Sequence, residues 1–355
     1  MPDLIVAGAG MGGLAAAAEA VSMGAEVELR EKGSRAGGSM LLSSGVVWRH
    51  RDFERFRREC PGGDPELQRV VWESLDADLT WLEALGAEPL ERDTGNPLTT
   101  GAQFDTRQLT GALVAAAGGR IRFGAPLTEA AGGTPVVLAT GGFQGDRELM
   151  SRHVTACAGD LLLRANPWSA GDGMRIGLAA GAELSAGLDE FYGRNMPAPP
   201  ARVPEEGFVT LAQLYATHAT VRNSRGEKYE AATWSEIDVV QWTARQPGAR
   251  AWYEVPDAAL DRRVRERTVG EMVAAARAAG APVERRARST VAEVVAGVTT
   301  TIGGLRIDAT ARAAPGVWAC GADAGGFATG GYASGLAAAL VLGRIAARSA
   351  LGAVG

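Results

Sequence analysis

Three glycines near the start of the chain have the spacing of a dinucleotide-binding turn. Gly8, Gly10 and Gly13 form the pattern G-x-G-x-x-G, and Glu31 follows 23 residues after Gly8. In such a turn the first glycine allows a sharp bend and the second lets the backbone approach a pyrophosphate. The third brings helix and strand together, and the carboxylate accepts hydrogen bonds from ribose hydroxyls. The pattern predicts a site for NAD or FAD, although a glycine turn without a ligand would have the same spacing.

The elements that must position this turn are those of a β-α-β unit. Residues 3–8 are an apolar run typical of a buried parallel strand, and residues 11–23 are an alanine-rich helix that ends at Gly24. Residues 25–31 are then a second strand, and residues 136–142 are a further buried strand that ends in glycines. Strand, turn, helix and strand in about 30 residues indicate an α/β fold with a parallel sheet.

Composition excludes several classes of protein. The 355 residues contain 36 Lys and Arg against 41 Asp and Glu, for a net charge of -5, which disfavours a nucleic-acid partner and favours a small-molecule substrate. Cys60, Cys157 and Cys320 lie at unrelated spacings, and there are three histidines, so we expect no disulfide framework and no metal site. No apolar run approaches the ~18 residues of a membrane span, and a cytoplasmic location is expected.

Later glycine segments have no place in an ordinary NAD domain. They lie at residues 35–45, 140–142, 321–326 and 330–335, and the last one leads into a predicted helix from about Ser334 to Arg348. The segment at residues 35–45 would extend along a diphosphate towards a flavin ring. These segments favour FAD over NAD.

Taken in order, these motifs resemble the flavoprotein subunit family of fumarate reductases, succinate dehydrogenases and 3-ketosteroid Δ1-dehydrogenases. The matching pieces lie at residues 8–13, 31, 37–39, 139–142, 171–173, 301–304 and 321–335. The resemblance implies an α/β, Rossmann-like FAD-binding domain built from both ends of the chain, residues 1–184 and 298–355. It also implies a reduced α+β capping domain inserted at residues 185–297.

The resemblance also implies which residues contact the cofactor. They are Gly8, Gly10, Gly13, Glu31, Lys32, Gly38, Ser39, Ser43, Ser44, Gly45, Thr140, Gly141, Asp172, Gly303, Asp323, Ser334 and Leu336. The succinate dehydrogenase branch attaches its flavin through a histidine near the second glycine loop, where this chain has Ser43 and Ser44, so FAD is expected to be non-covalent. The acidic residue that the family places directly after Gly321 is shifted by one position to Asp323.

The residues that hold dicarboxylates in fumarate reductases are missing at the corresponding positions. Thr300 and Tyr332 stand where the family has its histidine and its C-terminal arginine, and residues 234–236 (Trp, Ser, Glu) stand near the place of the catalytic arginine. Fumarate and succinate chemistry is therefore disfavoured.

Tyr332 instead resembles a tyrosine of the ketosteroid dehydrogenase branch that binds a carbonyl oxygen. In that branch a backbone N–H four residues later assists, and Leu336 occupies that position here. The implied reaction is α,β-dehydrogenation of a cyclic ketone at a CH–CH bond, or the reverse reduction of an enone, with hydride transfer to or from the flavin N5. The alternative is that Tyr332 is a packing residue beneath the cap.

Other candidates lie on the segment that enters the cap. Tyr192 and Arg194 are the chosen catalytic residues there, with Tyr215 on a predicted strand over residues 208–217 as a further candidate that is better explained by packing. Two other functions remain open. One is a carboxylate or amine oxidoreductase that uses Arg194 as anchor, and the other is a non-catalytic flavin-binding electron carrier. The electron acceptor is not identified by the sequence.

Two segments are predicted to be scaffold. Residues 52–58 and 258–279 have the charge patterns of amphipathic helices with solvated faces. A proline-rich loop over residues 197–204 is either a lid or a plain connector.

Overall fold

The structure is a computed structural model that describes residues 1–130, 133–230 and 235–352. In chain order the strands are β1 (Leu4–Ala7), β2 (Val27–Arg30), β3 (Val46–His50), β4 (Pro89–Glu91), β5 (Thr99–Phe104), β6 (Ile121–Arg122), β7 (Val136–Leu138), β8 (Leu162–Leu163), β9 (Phe191–Pro197), β10 (Thr220–Arg222), β11 (Arg250–Pro256), β12 (Arg263–Val264), β13 (Arg267–Thr268), β14 (Val283–Arg285), β15 (Ser289–Thr301), β16 (Arg312–Ala314) and β17 (Val317–Ala319).

The α-helices are α1 (Met11–Ser22), α2 (Phe53–Glu59), α3 (Pro65–Ala84), α4 (Thr106–Ala116), α5 (Arg147–His153), α6 (Asp172–Ala179), α7 (Gly207–Thr210), α8 (Glu236–Ala244), α9 (Val269–Ala278) and α10 (Gly335–Ala350). Short 3-10 helices cover Gly38–Leu42, Ala158–Asp160, Ala216–His218, Pro247–Ala249, Asp257–Ala259 and Gly321–Asp323. Within the described residues, no helix combines the length and the apolar composition needed to cross a bilayer.

The described residues form two compact units. The first unit comprises those within Met1–Asp146, Asn166–Glu190 and Thr300–Gly355, and the second comprises those within Arg147–Ala165 and Phe191–Thr299. The predicted cap boundaries at residues 185 and 297 stay a prediction.

The first unit contains a sheet with the strand order β16-β17-β7-β1-β2-β6. The neighbouring pairs from β17 to β6 are parallel, and β16 is antiparallel to β17. The predicted β-α-β unit is therefore present, with α1 between β1 and β2, and the α/β fold class is confirmed. Both ends of the chain contribute to this one sheet.

Close packing of α1 on α10 depends on two glycines. A Cβ atom on Gly343 would lie 2.4 Å from the carbonyl oxygen of Gly12, and one on Gly12 would lie 2.9 Å from the Cys320 sulfur. Neither position has room for a side chain. The alanine-rich sequence of α1 serves the same close approach, since Ala15, Ala16 and Ala17 are fully buried.

Side-chain caps define the beginnings of several helices in the first unit. Asp52, Asp64 and Asp105 accept hydrogen bonds from first-turn N–H groups of α2, α3 and α4, and Pro65 follows Asp64 at the first helical position. The predicted helix over residues 52–58 is thus present as α2. Next to these helices, β3, β5 and β4 form a small antiparallel sheet.

A buried ionic cluster also lies among the helices of the first unit. Arg344 of α10 donates to Glu19 of α1 at 2.7 Å and to Asp78 of α3, and all three are at most 8% exposed. Arg348 adds a second bond to Glu19 at 2.6 Å. The cluster links three helices that are far apart in the chain.

The second unit is built around a different sheet, in which β15 pairs with β11, β14, β8 and β9, and β10 pairs with β11. Its core consists of aromatic and aliphatic side chains, including Tyr253, Met272 and Val294, which are fully buried. Helix α9 begins with a capping box between Thr268 and Glu271.

Two element predictions were wrong in the second unit. The predicted strand over residues 208–217 is replaced by α7 and the 3-10 helix Ala216–His218. The predicted helix over residues 258–279 is only α9, because the preceding residues form the hairpin of β12 and β13. After β9, residues 198–204 form a loop, as predicted.

Candidate functional site

The turn after β1 contains glycines that serve different purposes. Gly8 has a φ of 106°, and a Cβ there would lie 2.1 Å from the carbonyl oxygen of Ala139. A Cβ on Gly13 would lie 1.8 Å from the carbonyl oxygen of Gly8. The fold itself therefore requires both residues to be glycine.

Gly10 differs from its neighbours because the fold does not require it. Its backbone is extended, with φ -82° and ψ -171°, and a Cβ built on it would have no neighbour within 4 Å in the described structure. The free space lies at the N-terminus of α1, where unpaired N–H groups and the helix dipole favour an anion. A pyrophosphate fits this position.

Glu31 is held rigidly beside the same turn. One carboxylate oxygen accepts from the Ala9 N–H at 2.8 Å, the other accepts from the Gly33 N–H at 2.6 Å, and the residue is 8% exposed. Each carboxylate oxygen has a second lone pair, so Glu31 retains the capacity to accept from ribose hydroxyls. Lys32 instead points to Asp172, with 2.8 Å between its ammonium and the carboxylate.

The second glycine loop lies against the first. A Cβ on Gly38 would lie 3.1 Å from the Gly10 Cα, so the two loops approach each other closely. Ser39 Oγ accepts from the Asn166 side chain at 2.9 Å. Asn166 is 6% exposed and also donates to Ser169 at 3.0 Å. Asn166 and Ser169 are not among the residues predicted from the sequence, since an isolated Asn and an isolated Ser carry no spacing signal.

The serines at the end of this loop have local partners. Ser43 Oγ donates to the Met40 carbonyl at 2.8 Å and accepts from the Gly45 N–H at 3.1 Å, and the Ser44 carbonyl accepts from Gln103. Gly45 has a φ of 70°, a conformation that favours glycine. These residues shape the loop through their contacts with one another.

Asp323 holds the turn that follows β7. Its carboxylate accepts from the N–H and the hydroxyl of Thr140 and, at 3.1 Å, from the N–H of Gly142. Asp323 is 2% exposed, and this burial raises the pKa of its carboxyl, against the hydrogen bonds, which lower it. Gly141 has a φ of 100°, and a Cβ on it would meet Ser169 Oγ at 2.4 Å.

Thr140 and Gly303 complete this region. Thr140 Oγ1 also accepts from the N–H of Gly173 at 2.9 Å, which ties the turn to the start of α6. A Cβ on Gly303 would lie 2.5 Å from the backbone nitrogen of Leu188, so the fold requires a glycine there.

Helix α10 begins as predicted, directly after Ser334. Ser334 Oγ accepts from the Ala337 N–H at 3.2 Å and from the Trp48 N–H at 3.4 Å. Leu336 is in the first turn of α10, where backbone N–H groups have no acceptor within the helix. The helix start can therefore donate to an anionic or carbonyl group.

Tyr332 lies in the loop just before this helix and is half-buried. Its ring centroid is 5.9 Å from that of Trp48, at an angle of 59°. Its backbone N–H bonds the thiol of Cys60, whose pKa is raised to about 12 by burial. The neighbouring Gly330 N–H donates to Glu190 at 2.8 Å. The Tyr332 loop is thus fixed at both sides.

Tyr192 and Arg194 belong to the second unit and lie on β9. As alternate residues of a strand they share a face, and the Arg194 guanidinium lies 4.7 Å from the centroid of the Tyr192 ring. Arg194 also donates to the Gly193 carbonyl at 2.9 Å. The two predicted residues therefore form one cation–π pair.

A carboxyl near Arg194 had been noted only as a departure from the family. Glu236 is the first residue of α8, and its Oε2 atom is buried with no hydrogen-bond partner in the described chain. Burial raises the pKa of Glu236 to about 7, although Arg194, the Ala216 N–H and Arg265 all lower it. Trp234, named beside it, lies outside the described residues.

Tyr215 has a structural environment. Its side chain is fully buried, its hydroxyl donates to Gln213 at 2.9 Å, and its ring lies 5.4 Å from that of Tyr253. Its place is in the core of the second unit.

Comparison with known proteins gives a family and a fold. The model of the FAD binding domain family matches residues 3–121 and 54–336. No curated protein matches the sequence. The chain is similar to the open form of a flavocytochrome c3 fumarate reductase, at 19% identity and a TM-score of 0.74, over 98% of this chain and 78% of that one.

Two steroid enzymes have similar structures. One is the 3-ketosteroid Δ1-dehydrogenase from Sterolibacterium denitrificans, at 15% identity and a TM-score of 0.74, with 99% of each chain covered. The other is the 3-ketosteroid-Δ4-(5α)-dehydrogenase from Rhodococcus jostii RHA1, at 20% identity and a TM-score of 0.69, over 99% of this chain and 96% of that one. At such identities the similarity concerns the fold.

Proposed function

The chain belongs to the FAD binding domain family and is an FAD-dependent oxidoreductase, and from this premise we propose that it acts on the CH–CH bond beside the carbonyl of a cyclic ketone. The reaction is either dehydrogenation of the ketone or reduction of the matching enone. The observation that supports this proposal most strongly is the position of Tyr332. Its half-buried phenol lies directly before the start of α10, in a loop fixed by Cys60 and Glu190.

The proposed cofactor site is the cradle formed by the glycine loops of the first unit. The empty space at Gly10 takes the pyrophosphate, Glu31 takes the ribose hydroxyls, and the N-terminus of α10 takes the polar edge of the flavin. Asp323 supports this site by holding the turn at Thr140. We propose that FAD is held here without a covalent bond.

The chemistry follows from the phenol. When bound, FAD supplies the acceptor for a hydride. The Tyr332 hydroxyl donates a hydrogen bond to the ketone oxygen, which stabilises the negative charge that develops as the α-proton leaves. A phenol suits this role because, with an ordinary pKa of about 10, it is a neutral donor at pH 7.

Dehydrogenation removes two hydrogen atoms from the ketone, and each leaves in a different form. The ketone loses its α-hydrogen as a proton to a base and its β-hydrogen with an electron pair, and a C=C bond forms. We propose that Tyr192 takes part in moving this proton and that Arg194, which stays protonated and cannot accept it, orients the substrate. Reduction of an enone is the same scheme in reverse.

The test removes only the hydroxyl of Tyr332. The FAD-loaded protein is reduced anaerobically with light and then mixed with 2-cyclohexen-1-one or with 4-androstene-3,17-dione, the compound bound in the similar Rhodococcus enzyme. Tyr332→Phe should slow reoxidation by about 10²–10³-fold, the usual effect of losing one oxyanion donor, with little change in apparent KM.

The matched control is Tyr215→Phe, which removes a buried hydroxyl in the second unit and should leave the rate as in the wild type. Full activity of Tyr332→Phe would reject the role of the phenol. If neither enone reoxidises the reduced wild-type protein and no saturated cyclic ketone reduces its FAD, the proposed reaction is wrong and a flavin-binding electron carrier takes its place.

A second candidate function rests on Arg194. A guanidinium held over an aromatic ring is a planar, partly desolvated anchor for a carboxylate, and the 4.7 Å stack on Tyr192 provides one. If the substrate is an acid, Arg194→Ala should raise its KM by about tenfold or more with a smaller effect on kcat. Steady-state assays with fumarate and with an amino acid measure this, and an unchanged KM rejects the anchor.

A further inference from the structure

Two aromatic side chains lie on the same face of β3, beside Tyr332. Trp48 and His50 are alternate residues of the strand, so they project to one side. The Trp48 ring lies 5.9 Å from the Tyr332 ring and 5.3 Å from the His50 ring, in an edge-on contact of 78° with the latter. Tyr332, Trp48 and His50 thus form a row within the first unit.

The position of Trp48 is fixed through its backbone. Its N–H donates to Ser334 Oγ at 3.4 Å, and Ser334 is the residue that caps α10. Tyr332 stands two residues before that cap. One serine therefore ties the backbone of β3 at Trp48 to the start of the helix that follows Tyr332.

The far end of the row is apolar. His50 is 7% exposed, and neither of its ring nitrogens has a hydrogen-bond partner in the described chain. Its ring stacks on Phe56 at 5.3 Å with an angle of 23°. Burial lowers the pKa of His50, with Arg55 acting in the same direction and Glu59 and Asp52 against it, which disfavours a positive charge at this end of the row.

From this arrangement we infer that Trp48 is a specificity-determining residue, whose half-buried indole face selects a flat, uncharged ring for presentation to Tyr332. The inference rests on the proposed function and deepens it by naming the substrate class, a planar carbocyclic ketone or enone without a carboxylate near the reacting carbons. An aromatic face contacts such a ring over its whole surface, whereas a carboxylate would lose water there without gaining a partner.

The test compares binding with turnover in the FAD-loaded protein. Equilibrium dialysis gives the Kd of 4-androstene-3,17-dione, 2-cyclohexen-1-one and fumarate, and enone-driven reoxidation of the reduced protein gives the rate at saturation. Trp48→Leu keeps apolar volume but loses the flat face. It should raise the Kd of 4-androstene-3,17-dione by about tenfold or more and change the saturated rate by less than about threefold.

A conservative variant and a matched control separate this role from general packing. Trp48→Phe retains a flat ring and should bind within about threefold of the wild type. Trp72→Phe alters another tryptophan of the same aromatic cluster, 5.7 Å from Phe53 and bonded to the His50 carbonyl, and should leave every Kd unchanged. Circular dichroism and FAD content establish that each variant is folded and loaded.

The outcomes separate the two proposals. If Trp48→Leu binds each compound with the wild-type Kd and still turns over the enones, the role of Trp48 is overturned and the proposed function stands. Binding of fumarate more tightly than of the ketones overturns the assigned substrate class. Both proposals are overturned if no enone reoxidises the reduced protein and no saturated cyclic ketone reduces the oxidised protein.

Discussion

Asp323 illustrates what a shift of one position in a motif means physically. Counted along the chain, the acidic residue stands one place late. In the structure, the 3-10 helix Gly321–Asp323, with a φ of 62° at Gly321, turns its carboxylate onto Thr140 and Gly142. Spacing alone could not predict this contact, because Asp323 lies 183 positions after Thr140 and 181 after Gly142, and only the fold brings them together.

Glu236 carries a prediction about pH and stability. Its ordinary pKa of 4.5 is raised to about 7 in the folded protein, mainly by burial, with Arg194, the Ala216 N–H and Arg265 opposing. Between these two values the folded protein binds a proton that the unfolded chain has released, so the free energy of unfolding must fall as the pH rises.

The expected slope from this group is up to about 1.4 kcal/mol per pH unit between roughly pH 4.5 and 7. Glu236→Gln cannot titrate, so its urea-unfolding free energy should lose that decline and exceed the wild-type value most clearly at pH 8. Glu284→Gln makes the same chemical change at an exposed site on β14 and should follow the wild-type profile. Parallel profiles for Glu236→Gln and the wild type would show that Glu236 titrates normally.

At the scale of elements, the strand-turn-helix at the start of the chain contains glycines that the fold requires and one glycine that, as we propose, only the ligand requires. Gly8 and Gly13 are glycines for reasons internal to the protein, but the extended backbone of Gly10 and the open space around it would accept a side chain. Gly10→Val should therefore fold as well as the wild type. It should weaken FAD binding by about tenfold or more, since its side chain would occupy the space of the charged oxygens.

The measurement is the Kd for FAD by flavin fluorescence, together with the melting temperature of the protein without cofactor. Gly159→Val is the control, because a Cβ at this exposed position also meets nothing within 4 Å and the residue belongs to the second unit, whereas the glycine loops belong to the first. Wild-type affinity in Gly10→Val would place the pyrophosphate elsewhere.

Element prediction succeeded where a sequence signal has one physical cause. Strand β1, helix α1 and the start of α10 follow from apolar runs, glycine stops and a capping serine. It failed for residues 208–217 and 258–268, where similar polar-apolar patterns suit a strand, a helix or short turns, and only tertiary packing decides.

The ionic cluster of Arg344 could not be predicted either. Glu19, Asp78 and Arg344 each lie on a separate helix, and nothing in their spacing along the chain pairs them. Burial raises the pKa of Asp78, and the charge of Arg344 lowers it. Loss of one partner from such a buried group leaves an uncompensated charge, which makes it a strong constraint on how α1, α3 and α10 assemble.

For the molecule as a whole, the α/β fold, the family and the cofactor were predictable from the ordered glycine motifs, and all three are confirmed. The site residues and the cap boundaries remain predictions. Residues 147–165 group with the second unit, although no change of composition marks them. Their association depends on contacts such as that of Thr155 with the Ala244 carbonyl, which link distant parts of the chain.

The central sheet of the first unit joins early and late segments of the chain, with β17 next to β7 and β7 next to β1. During synthesis, residues 191–299 are translated before β17 exists. The nascent β7 must therefore wait, because its neighbouring strand β17 and the helix α10 that packs on both strands are still untranslated. Truncation before residue 317 would leave the edge of β7 exposed and prone to aggregation.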